Sequence, residues 1–83
     1  MNTVIWTIVI SIFASSGDGE VKRVDVSFEG WYKTRALCYA DTAMKRTMLD
    51  KILGKGAIKE VPRGEGVTIT MEPICYKQPV AVV

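Results

Sequence analysis

The sequence predicts a small α+β fold, strand-strand-helix-strand (β-β-α-β), with a three-stranded sheet of order 2-1-3 and one helix on one face. Three observations carry this expectation. Val4 to Ala14 is apolar at every even position and half apolar at the odd ones, as a strand buried in the middle of a sheet requires. Val21 to Glu29 alternates, with Val24, Val26 and Phe28 inward and Arg23, Asp25, Ser27 and Glu29 outward. From Arg35 onward the apolar period lengthens to three or four residues, through Leu37, Ala40, Met44, Met48 and Ile52. The 83 residues form one α+β domain, 1–83, near the lower size limit for a single core.

The strand reading of the first stretch has two rivals. A membrane-spanning helix needs about 20 apolar residues, and this run meets the polar block Ser15 to Glu20 well before that. No membrane span is therefore expected. A cleaved export signal ending near Ala14 or Ser16 has an apolar core of suitable length, but Met1-Asn2-Thr3 lacks the usual Lys or Arg. The β-branched content favours a pleated surface.

Each remaining element follows in order. Asp18-Gly19 is a hairpin signal, because glycine accepts positive φ cheaply. Matching apolar faces demands an even index sum across the hairpin. A sum of 34 pairs Ile10 with Val24, Ile8 with Val26 and Trp6 with Phe28; a sum of 36 stays open. Thr34 is the expected N-cap of a helix from Arg35 to Leu53, ended by Gly54 or Gly56. Ala57 to Gly66 connects, and Ile58 to Val61 is an optional fourth strand. The last strand runs from Val67 to Tyr76, with Val67, Ile69, Met71 and Cys75 inward and Pro73 marking an edge or a bulge. A right-handed crossover makes it parallel to the second strand, so the first strand sits between them. The apolar tail, Gln78 to Val83, has no assigned place.

Composition excludes more chemistry than it suggests. Eleven basic and nine acidic residues are interleaved for a net charge of +2, which gives no long-range field for nucleic acid. There is no histidine, so the commonest general base and zinc ligand are missing. Two cysteines alone cannot build a structural zinc site. No catalytic residue, metal site or cofactor is expected, and the chain reads as a non-enzyme. Gly54-Lys55-Gly56 and Gly64-Glu65-Gly66 match no phosphate-binding fingerprint and read as turn glycines. Cys38, early in the helix, and Cys75, on the inward side of the last strand, are either a disulfide or two buried thiols. A disulfide would contribute roughly 3–4 kcal/mol.

Trp6 in an apolar opening strand, Asp18-Gly19, Gly30-Trp31 before Thr34, Cys38 one turn into the helix and Cys75 in the last strand together form a loose pattern. It resembles small uncharacterised proteins encoded by bacteriophages and prophages. The resemblance spans most of the chain and implies the β-β-α-β fold and a phage origin; it brings no settled activity. With an uncleaved first strand it places the protein in the cytoplasm of a bacterial host. Cleavage after residue 14 or 16 would make it periplasmic or secreted instead.

One helix can cover only one side of such a sheet. The other side presents Ile5, Val9 and Phe13, with Val21, Ile74 and Tyr76 at the margins, and an apolar strip of this kind marks an interface. The cover is the tail, a second copy of the chain as a homodimer, or a partner protein. The leading expectation is a non-catalytic phage protein that binds a host protein stoichiometrically, inhibiting it or an anti-phage defence factor. The alternatives are a nucleic-acid module using Arg35, Lys45, Arg46 and Lys51, and an exported structural protein closed by its disulfide.

Overall fold

A strand that is apolar on both faces belongs between two others, and the first stretch takes that place. In the computed structural model, which describes residues 2–62 and 64–81, β1 runs Asn2–Ser15, β2 Val21–Ser27, α1 Arg35–Ala40, α2 Thr42–Gly54 and β3 Thr68–Ala81. The sheet order is β2-β1-β3, and both neighbours are antiparallel to β1, so β2 and β3 share one direction. The α+β class, the strand order and the direction of the last strand agree with the sequence expectation. Because β1 is the middle strand, a cut near Ala14 or Ser16 would remove the centre of the sheet.

The even face of β1 forms the core. Ile8, Ile10, Ile12 and Ala14 are buried with Cys38, Leu49, Val61 and Cys75, and Val24, Val26, Phe28 and Met71 pack around them. The β1–β2 register has Ile10 opposite Val26 and Ile12 opposite Val24, an index sum of 36, which corrects the sum of 34. The hairpin turn decides between them. Its ends close at Ser15 and Val21, and the Ser16 amide donates to the Glu20 carbonyl at 3.3 Å. Gly19, at φ 89°, lies inside that turn, where a sum of 34 would put it in the ladder.

After Phe28 the chain bulges through Gly30 (φ 103°) and returns at Tyr32, whose backbone exchanges two 2.9 Å hydrogen bonds with Trp6. Trp6 thus faces Tyr32 and not Phe28. This exchange turns the peptide groups of the even β1 residues toward β2 and those of the odd ones toward β3. The even residues of β3 answer them, so its odd residues aim their peptide groups outward. Pro73 and Pro79 are both odd, and each lacks an N–H on the unpaired side of an edge strand, where no ladder bond is lost. The tail residues Gln78–Ala81 continue β3 against the start of β1, while Val82 and Val83 lie outside the described residues.

The helix departs from expectation twice. Thr34 caps it as predicted, its hydroxyl accepting from the Leu37 amide at 3.1 Å. It then breaks at Asp41, whose amide reaches back to the Cys38 carbonyl and whose carboxylate is engaged by the Tyr32 hydroxyl and by Lys45. An Asp side chain held from outside competes with helical continuation. The buried stripe, moreover, is Cys38 and Leu49, flanked by half-buried Lys45 and Leu53. That is the predicted stripe displaced by one residue, so Leu37, Met44, Met48 and Ile52 face solvent. The tie between Cys38 and Cys75 fixes this rotation. Gly56 (φ 71°) ends α2 in a Schellman motif, its amide donating to Leu53 and that of Ala57 to Ile52.

Ile58 to Val61 is a turn and not a fourth strand; it delivers Val61, 3 % exposed, into the core. Gly64 and Gly66, at φ 126° and 79°, are turn glycines in the approach to β3.

Candidate functional site

The odd positions of β1 and their neighbours make the second face of the sheet. The core cluster and both helices lie on the other side, and among the described residues no element crosses this face. All six predicted interface residues are on it. Val9 pairs directly with Ile74, and Thr7 separates that pair's row from Ile5 while pairing with Tyr76. Ile5, Val9, Ile74 and Tyr76 therefore occupy adjoining register positions. Phe13 and Val21 lie nearer the hairpin end, beyond a polar row that the apolar pattern alone does not reveal.

That row is Asp25, Ser11 and Glu72, placed side by side by the two registers. The Ser11 hydroxyl donates to the Asp25 carboxylate at 2.8 Å, and the Arg23 Nε donates to the same oxygen at 3.0 Å. The Arg23 guanidinium sits 5.8 Å from the centre of the Phe13 ring, within range of a cation–π contact. Ser11 is 1 % exposed although it is on the uncovered face, because these neighbours close over it. The Ser11 hydroxyl and then Arg23 hold the Asp25 carboxyl below its ordinary value. The signal that could have located this network is the register: a sum of 36 puts Ser11 opposite Asp25 and Phe13 opposite Arg23. Farther along, Gln78 Nε2 donates to the Thr7 hydroxyl at 3.0 Å.

Cys38 and Cys75 form a disulfide with a Cα separation of 6.2 Å, joining α1 to β3. Both residues are buried. This selects between the two sequence alternatives and leaves no free thiol among the described residues.

The four candidate nucleic-acid contacts do not converge. Lys45 lies 3.3 Å from the Asp41 carboxylate, and the Arg35 guanidinium is 5.4 Å from the Tyr39 ring centre. Arg46 and Lys51 are exposed, yet five helical positions set them about 140° apart around the axis. Among the described residues no group of three or more Cys, Asp or Glu is placed to hold a metal ion. An open cleft of about 600 Å³ lies between the hairpin turn and the connection, edged by Lys22, Lys59 and Glu60. No helix among the described residues is long and apolar enough to cross a membrane.

No family model, no curated protein and no solved structure matches the chain.

Proposed function

We propose that this is a phage-encoded, non-catalytic protein that binds a host protein stoichiometrically through the uncovered face of its sheet, inhibiting or redirecting it. A component of an anti-phage defence is the class of target this reading favours. The observation that carries the binding reading is the bare face itself. Val21 is 61 % exposed and Tyr76 40 % exposed there, beside half-buried Ile5, Val9 and Ile74. An apolar patch broken by a fixed polar row gives a partner both area and orientation.

A photo-crosslinking residue in place of Tyr76, compared with one in place of exposed Lys59 in the connection after α2, tests this in infected or expressing cells. The expected result is a single adduct with a host protein from position 76 and none from position 59. No adduct, the same adduct from both positions, or an adduct only with a second copy of the chain would overturn the reading.

The disulfide favours a second reading, an exported structural protein closed by Cys38–Cys75. Buried disulfides persist in oxidising compartments. On this point the weight moves from the bacterial cytoplasm toward the periplasm, the medium or a particle surface. The mass of the protein from its native host, without reductant, separates the two.

A further inference from the structure

The sequence devotes a helical apolar stripe to Leu37, Met44, Met48 and Ile52, and the fold leaves it in water. These residues are 55 %, 61 %, 45 % and 37 % exposed, while the core takes the stripe one residue over. A surface helix normally turns its apolar period inward. Here the monomer satisfies its core with Cys38 and Leu49 and has no use for the second stripe.

Charge identifies what would cover it. Between Thr34 and Lys55 there are five basic residues and two acidic ones, against six and seven in the remainder of the chain. Lys51 stands three positions after Met48 and seven after Met44; Lys55, the C-cap of α2, stands three after Ile52 and seven after Met48. Both are therefore on the stripe's own side of the helix. Both are exposed, and neither has an ion-pair partner among the described residues, where Asp41 is taken by Lys45. We infer that this stripe docks an acidic amphipathic helical segment of a partner protein. The partner's apolar face lies on Met44 and Met48, and its carboxylates meet Lys51 and Lys55.

Two other occupants fit less well. A symmetric pair of copies would set one basic border against another, and like charges there repel. Helices that lie on anionic lipid carry Trp, Phe and Leu on their apolar face. This stripe has Met at its centre, a side chain that adapts to the irregular surface of another protein. The inference concerns the helix layer and stands or falls separately from the sheet-face reading.

Titrating the full chain, labelled with ¹³C at the Met methyls, tests the proposal. The probe is a synthetic helix of about 18 residues with a Leu stripe and Glu borders, and its control carries Lys borders. Expected are shifts of the Met44 and Met48 methyls, with Met71 unmoved. Binding of the Glu peptide should be tighter than that of the Lys peptide by about tenfold. Lys51→Glu with Lys55→Glu should invert that preference while far-UV circular dichroism stays unchanged. Equal affinity for the two peptides would overturn the proposal. So would unmoved methyls at about 1 mM peptide, shifts that arise only with anionic phosphatidylglycerol vesicles, or shifts that track protein concentration without peptide.

Discussion

At the scale of single residues, Tyr32 and Asp41 join the loop after β2 to the break between the helices. The Tyr32 hydroxyl donates to the Asp41 carboxylate, and Lys45 adds its charge from 3.3 Å. The tyrosine hydrogen bond first, and the lysine after it, hold the Asp41 carboxyl below its ordinary 3.8. The same bond raises the Tyr32 phenol above its ordinary 10.0. A lowered carboxyl stabilises the fold above its unfolded value, and that contribution fades as pH falls through the folded one. A raised phenol stabilises below its unfolded value, and its share is lost as pH rises through the folded one. Tyr32→Phe should therefore flatten both the acid and the alkaline arm of a plot of melting temperature against pH. An unchanged profile would show that the pair does not couple the loop to the helix.

The neighbours Met48 and Leu49 give a sharper residue-scale test. Leu49 is fully buried and Met48 is 45 % exposed. Leu49→Ala should lower unfolding free energy by about 2–5 kcal/mol, while Met48→Ala should cost less than about 1 kcal/mol. Urea denaturation measures both. The reverse order would mean that the helix is rotated by one residue, to the position that the apolar spacing predicts.

At the scale of elements, the strands were legible and the orientation of the helix was not. Alternation in Val4–Ala14 and Val21–Glu29 reports burial directly, since one face of each strand must meet the core. Pro73 announced an edge strand for a definite physical reason, its missing N–H. Apolar periodicity points to Leu37, Met44, Met48 and Ile52. The sheet instead receives the mixed stripe beside it, Cys38, Lys45, Leu49 and Leu53, whose charged member hides it from an apolar pattern. The choice was made by Cys38, whose bond to Cys75 settles the rotation of α1. The hairpin register hinged on a two-residue difference in the turn, which the apolar faces tolerate equally. On the sheet's second face, the apolar six were legible and the Ser11–Asp25–Arg23 network was not, because it exists only in the register that the turn selects. The disulfide's weight can be measured: Cys38→Ala with Cys75→Ala should lower unfolding free energy by about 3–4 kcal/mol. A loss below about 1 kcal/mol would mean that the bond orients α1 without stabilising the fold.

At the scale of the whole molecule, the described residues span 51 × 21 × 20 Å, an elongation set by the length of β1 and β3. Their ladder joins the beginning of the described chain to its end, the most distant contact in sequence among the described residues. Such pairing must form against a large loop entropy. β2 is half as long, so β1 and β3 project beyond it as a two-stranded ribbon.

That projection has a consequence for connectivity. Asn2 lies opposite Ala81 in the ladder, so the described chain enters and leaves the domain side by side at one pole. A unit whose two ends meet can be spliced into a loop of another protein as a branch that leaves the host chain continuous. It can also be closed into a ring and reopened at Gly17, in the exposed hairpin turn, with the ladder that holds the sheet together kept whole.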